Sequence, residues 1–192
     1  MPYFPVFLDL KGKDVVVVGG GIVAERKVKK LLPFEPNIKV IAPRATKGIK
    51  ELHREGRVKL VLRKVRISDI KRAFLVIAAL DDIRVQKRLY EYCKRKGILC
   101  NAVDNIEFCS FIFPALVLRG NVVIGISTSG KVPALSRSLR EYLEKLLPED
   151  IKEVELTLER VRKGLPKGRE RQKKITELAS KIVSTFLPQH GI

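Results

Sequence analysis

Three groups of residues in this chain have types and spacings that could do chemistry. The first is Gly19, Gly20 and Gly21, which follow the β-branched run Val15 to Val18 and precede a helical pattern beginning at Ile22 or Val23. Strand, glycine turn, helix is the arrangement in which backbone N–H groups at a helix N-terminus face a phosphate. Gly19 permits the tight turn, Gly21 lets the backbone approach a pyrophosphate, and small Ala24 allows close helix–strand packing. This is the GxGxxA form of the dinucleotide fingerprint, and it assigns Gly19, Gly21, Ile22 and Val23 to a cofactor. The plainer alternative is a glycine turn that only connects two core elements.

The second group lies at the ends of later strands, where parallel sheets present their ligands. Asp104 closes the fifth expected strand, and a carboxylate there can accept a proton from a substrate. It can also form an Asx turn with Asn105. Asn101 either hydrogen-bonds cofactor or substrate, or is ordinary strand-end polarity. Ala42, Pro43 and Arg44 follow the second strand, and Ala79 and Leu80 the fourth; all five are candidates for the cofactor. An NAD enzyme often has an acidic residue after its second strand for the ribose hydroxyls. None stands here, and Arg44 could accommodate a 2′-phosphate. The third group is the loop STSGK, 127–131, where Ser127, Thr128 and Lys131 are candidates for substrate carboxylates at a helix N-terminus. Hydroxyl capping of that helix is the competing reading.

The elements that must position these residues alternate regularly. Helical apolar spacing runs from Val23 to Leu32; Arg26 and Lys27 could face phosphate or substrate, and are read as part of its solvated face. Strands are expected at Ile38–Ala42, Val58–Leu62, Phe74–Ala79 and Ile98–Ala102. Thr46 caps a helix ending near Gly56, and Asp81 or Asp82 caps one that continues to Lys96 and is closed by Gly97. Strand–helix alternation through residue 103 argues for an α/β fold with a parallel sheet. Tyr3 to Leu8 is expected to be an extra strand or a packed arm. Phe111–Leu118 and Val122–Ser127, joined at Gly120-Asn121, read as an antiparallel hairpin. Helices are expected next at Pro133–Leu147, Ile151–Lys163 and Glu170–Leu187.

The sequence of 192 residues is 45% hydrophobic, enough for a proper core. No apolar run approaches the roughly 18 residues of a membrane span. The first residues carry no basic segment ahead of their apolar part, so the expected location is cytoplasmic. Cys93, Cys100 and Cys109 have no metal-ligand spacing and read as free thiols. His53 and His190 join no ligand cluster, so no metal site is expected. The formal net charge of +18 calls for a polyanionic partner or a generally cationic surface. Residues 151–192 hold only +5 of it, so the excess is dispersed rather than gathered in a nucleic-acid arm. Without an aromatic stacking motif, nucleic acid is the weaker choice of partner.

GGGIVAERK at 19–27, AALDD at 78–82, CNAVD at 100–104, SFIFPA at 110–115 and GISTSGKVPALSRSLRE at 125–141 occur in that order. Together they resemble the precorrin-2 dehydrogenase and sirohydrochlorin ferrochelatase family, the N-terminal module of siroheme synthase. The resemblance implies a Rossmann-like NAD-binding domain at 1–110, a homodimerisation segment with the β-hairpin at 111–147, and a small C-terminal helical domain at 148–192. It implies oxidation of precorrin-2 to sirohydrochlorin with NAD rather than NADP, and in some members iron insertion. Asp104 matches the family's catalytic aspartate. The substrate is a tetrapyrrole ringed by carboxylates, which gives the +18 charge a physical use. Leu80 stands where family members often carry threonine. A nucleotide-sensing module without catalysis is the rival reading; Asp104 and the STSGK loop speak against it.

Overall fold

A computed structural model of the chain describes residues 3–186, so His190 lies outside the described residues. The backbone forms two compact units. One runs from Val6 to Ile112; the other joins the first described residues to those from Phe113 onward.

The first unit alternates as expected. Its elements are β1 (Asp14–Val18), α1 (Ile22–Leu31), β2 (Asn37–Ile41), α2 (Lys47–Arg54), β3 (Lys59–Val61), β4 (Leu75–Ala78), α3 (Ile83–Lys96) and β5 (Leu99–Ala102). All neighbouring strands pair in parallel, in the order β3-β2-β1-β4-β5. A central parallel strand is covered on both faces, which is why β1 and β4 are apolar throughout rather than alternating. Val15 to Val18 and Leu75 to Ala78 are all buried. The chain leaves β1 toward β2 on one side and later returns to β4 on the other. The carboxyl ends of β1 and β4 therefore form the switch point where open α/β sheets bind ligands.

Local signals set the helix ends. Thr46 Oγ1 accepts a hydrogen bond from the Ile49 N–H at 3.3 Å. Asp82 Oδ1 accepts from the N–H groups of Arg84 and Val85 at 2.9 and 3.2 Å. Gly97 stops α3 in the left-handed region at φ 66°. His53 Nδ1 donates to the Val58 carbonyl at 3.1 Å, tying α2 to the approach of β3. The segment between β3 and β4 is pinned by Arg63, whose two guanidinium nitrogens reach the two Asp69 oxygens at 2.7 and 2.6 Å. Asp69 also accepts from the Arg66 N–H at 2.7 Å. The Arg63 hydrogen bonds hold its carboxyl down to about 2.

The second unit holds the hairpin β6 (Ala115–Arg119) and β7 (Val122–Ile126), then α4 (Pro133–Leu146), α5 (Ile151–Gly164) and α6 (Arg169–Phe186). The hairpin turns at Gly120, φ 59°. Asn121 Nδ2 donates to Glu155 Oε1 at 2.8 Å, linking the turn to α5. Arg119 lies 3.7 Å from Glu144, linking β6 to α4.

Two expectations need correction. Tyr3 to Leu8 forms no strand and is not packed: Phe4 and Phe7 are 87% and 79% exposed. The sheet ends at β3 and β5, and the segment pairs with neither. Val23, where the apolar spacing of α1 begins, is 41% exposed; Ala24, Val28 and Leu31 form the buried face.

Candidate active site

The cradle begins with three glycines that are small for three different reasons. Gly19 has φ +122°, a region that L side chains rarely adopt, and a Cβ there would overlap the Ala79 carbonyl at the end of β4. A Cβ on Gly20 would overlap the Arg44 carbonyl and stand 3.0 Å from the Ala45 Cα. The Thr46 N–H donates to the Gly20 carbonyl at 2.9 Å, and the Gly19 N–H to the Ile41 carbonyl at 2.9 Å. Gly21 differs. Its backbone is ordinary extended, and a Cβ would meet nothing within 4 Å. No neighbour in the protein requires glycine at this position. The open side is what a ligand's phosphate needs in order to come close to the first N–H groups of α1.

Gly19 and Gly21 line a cleft of about 740 Å³ at the carboxyl ends of the strands. Ile22 and Val23 line it too, which explains their exposure. Ala42, Pro43 and Arg44 reach it from the end of β2, and Ala79 and Leu80 from the end of β4. Every residue expected at the cofactor thus lies in one cleft. The residues fit a dinucleotide: a cleft with apolar walls from Ile22, Val23, Ala42, Pro43 and Leu80, and a helix N-terminus opening at the one cradle glycine whose Cβ side is empty.

Asp104 lines the same cleft, just past β5. It is exposed and has φ 64°, one of three non-glycine residues with positive φ among the described residues. Asp and Asn tolerate that region better than other side chains, but it remains a strained position. Gln86 supports it from α3. This buried amide, which the sequence reading did not single out, donates from Nε2 to the Leu80 carbonyl at 2.6 Å and the Val103 carbonyl at 3.5 Å. It ties the ends of β4 and β5 together immediately before Asp104.

Asn101 does not line the cleft. It is 6% exposed, and its Nδ2 donates to the Phe111 carbonyl at 3.0 Å and to Cys109 Sγ at 3.5 Å. The Cys109 thiol in turn donates to the Ala102 carbonyl at 3.2 Å. Burial pushes the Cys109 thiol up. Ser127, Thr128 and Lys131 belong to the other unit, where their loop is internally bonded. Ser127 Oγ accepts from the Ser129 N–H at 2.9 Å and Thr128 Oγ1 from the Val132 N–H at 3.1 Å. The Lys131 N–H donates to the Thr128 carbonyl at 3.1 Å. Among the described residues no group of three or more His, Cys, Asp or Glu could hold a metal.

Lys27 departs most from the sequence reading. Arg26, Lys29 and Lys30 on α1 are exposed, whereas Lys27 is half-buried, within the electrostatic reach of Asp104 and Cys109. Burial, and then Lys30, push its ammonium down to about 8 against the opposing pull of Cys109 and Asp104. The unfolded value is about 10.4, so the charged side chain costs stability below pH 8 and ceases to do so above about 10.4. Lys27→Met should therefore melt above the parent near pH 7, and the gap should close by about pH 10.4. A gap independent of pH would show that burial does not act on this ammonium.

The chain has counterparts among known proteins. A family model described as putative NAD(P)-binding matches residues 6–115. The chain belongs to this NAD(P)-binding family. Its relatives include siroheme synthase 1 of Serratia proteamaculans, 38% identical over 151 residues, covering 79% of this chain and 32% of the relative. Siroheme synthase 1 of Klebsiella pneumoniae is 40% identical over 153 residues, again 79% and 32%. The chain thus spans about a third of the length of the curated relatives it matches. The solved structure of SirC, a precorrin-2 dehydrogenase, superposes with a TM-score of 0.75 at 28% identity, covering 92% of this chain and 89% of that one. The likeness to SirC extends over both units, beyond the part that the NAD(P)-binding model matches.

Proposed function

We propose that this chain is a precorrin-2 dehydrogenase that uses NAD to form sirohydrochlorin, working in the cytoplasm as a homodimer. The observation that carries the reading is one cleft holding both a glycine cradle for a dinucleotide and a strained, exposed carboxylate, Asp104. The likeness to SirC and to the siroheme synthases supports it. Bound in the cleft, the dinucleotide supplies the hydride acceptor. The N–H groups at the start of α1 hold its diphosphate, and Ile22 and Val23 keep water from that side. Oxidation removes two hydrogens from the macrocycle, one as hydride and one as a proton, and Asp104 takes the proton. Lys27 keeps a positive charge near that carboxylate. Ser127, Thr128 and Lys131 meet the substrate's carboxylates, and residues 111–147 and 148–192 form the dimerisation segment and helical domain. Among the described residues no helix is long and apolar enough to cross a membrane.

The test is direct. Purified protein with NAD and precorrin-2 should form sirohydrochlorin and NADH in equal amounts; NADH formation that does not depend on precorrin-2 would refute the assignment. Iron insertion is read separately, by adding ferrous ion to the product.

The homodimer has its own support. Val132, Leu135, Leu139 and Tyr142 are each 41–52% exposed and follow a helical spacing along α4 and its N-terminal end. A two-stranded hairpin is marginal alone in water, and a second copy would cover such a stripe. Sedimentation at micromolar concentration should give a dimer, and Leu139→Glu a monomer. A parent that sediments as a monomer would overturn this part of the reading.

A further inference from the structure

A second recess, of about 310 Å³, adjoins the dinucleotide cleft and shares Gly19, Ala42, Pro43 and Leu80 with it. Its floor is apolar, built from Val18, Ile41, Val85 and Leu89, and suits a flat base. Its rim carries Lys64, Arg66 and Arg88, all exposed. Arg44 stands beside it at the end of β2, its backbone carbonyl held against Gly20.

We propose that this recess receives the adenosine end of the cofactor with a phosphate on the ribose 2′-oxygen, so that the protein accepts NADP as well as NAD. The inference rests on the dinucleotide reading and deepens it. A site that excludes NADP places a carboxylate after β2, where it accepts a hydrogen bond from the ribose and repels a phosphate. Here that position reads Ala42-Pro43-Arg44. The one carboxylate lining the recess, Asp82, has its Oδ1 engaged by the N–H groups of Arg84 and Val85. Asp69, the nearby acid that could neutralise the rim, is taken up by Arg63. The same bidentate pair, with the Arg66 N–H on Asp69, fixes the segment that presents Lys64 and Arg66. Guanidinium groups suit a phosphate through paired N–H donors, and an ammonium adds a point charge. The cationic rim is therefore preformed, at the place where a dinucleotide running from the Gly21 cradle toward β2 would carry its 2′-group.

The experiment is a set of binding titrations that need no tetrapyrrole. Kd is measured for NAD, NADP, 2′-AMP and 5′-AMP with the parent, with Lys64→Ala/Arg66→Ala, and with Lys94→Ala/Lys96→Ala at the far end of α3. The parent should bind NADP within tenfold of NAD, and 2′-AMP at least tenfold more tightly than 5′-AMP. Lys64→Ala/Arg66→Ala should weaken NADP at least tenfold more than it weakens NAD, and the α3 control should not. If NAD binds but NADP is more than tenfold weaker, the proposal fails while the dinucleotide reading stands. An equal loss in the control variant would reduce the rim to general surface charge and also overturn it. If neither dinucleotide binds, both readings fall together.

Discussion

Asp104→Asn should oxidise precorrin-2 at least a hundredfold more slowly than the parent while binding NAD as the parent does. The loss of a positioned general base costs about 10² to 10⁴ in rate. The choice of asparagine comes from the backbone. Asp104 sits at φ 64°, and for most side chains the left-handed region costs about 1–2 kcal/mol, whereas asparagine visits it readily. Alanine would mix strain with lost chemistry; asparagine keeps the size and the turn and removes only the basic carboxylate. The residue is exposed, and Gln86 holds the preceding Val103 carbonyl from α3, so the fold should not depend on the side chain. Single-turnover formation of sirohydrochlorin by the folded variant decides the matter. Near-parental rates would leave Asp104 as a turn residue and nothing more.

The second large effect comes from treating two glycines of the cradle alike. Gly21→Ala should fold normally and lose at least tenfold in dinucleotide affinity, about 1.4 kcal/mol. Its backbone suits any residue and the added methyl meets no protein atom within 4 Å, so the only thing it can obstruct is a ligand. Gly19→Ala should fail in the opposite way. At φ +122° a side chain is strained, and the new Cβ would overlap the Ala79 carbonyl, a backbone atom at the end of β4 that cannot swing aside. A special backbone conformation combined with a core clash belongs to the exceptional losses, above about 4 kcal/mol, a large part of a stability of about 5–15 kcal/mol. Melting curves and NAD titrations on both variants separate the two. Parental NAD affinity in a folded Gly21→Ala protein would mean that no diphosphate approaches α1.

The cradle and the position of Asp104 were readable from the residues because a parallel sheet puts all its strand ends on one edge. Once Val15–Val18, Phe74–Ala79 and Ile98–Ala102 are recognised as strands, the residues just past their carboxyl ends must share a cleft. Helix caps were equally local: Thr46 and Asp82 act on N–H groups two or three residues away. Lys27 was not readable in this way. In the chain it stands in a basic run with Arg26, Lys29 and Lys30, and nothing marks it as the half-buried one. Its partners, Asp104 and Cys109, are brought to it only by packing α1 on the sheet. Asn101 stayed between two readings for the same reason. A polar residue near a strand end can face outward or inward, and here the Phe111 carbonyl, ten residues on, draws it inside. The tie between Arg63 and Asp69 also escaped notice, because a capping carboxylate in a short turn gives no sign of a guanidinium six residues earlier.

The wedging of Gly19 and Gly20 between the carbonyls of Ala79 and Arg44 has a consequence for anyone redesigning this protein. The ends of β1, β2 and β4 are interlocked through backbone atoms and the Ala42 methyl, with the Thr46 and Gly19 N–H groups closing the joint. No flexible side chain lies in the joint to absorb a change. A graft that lengthens or reshapes Ala42-Pro43-Arg44, the obvious route to a new cofactor preference, would lever directly on the turn that holds the diphosphate. The two ends of the cofactor site cannot be edited piecemeal. Point substitutions that keep the backbone path, such as those at Lys64 and Arg66, are the changes this architecture will tolerate.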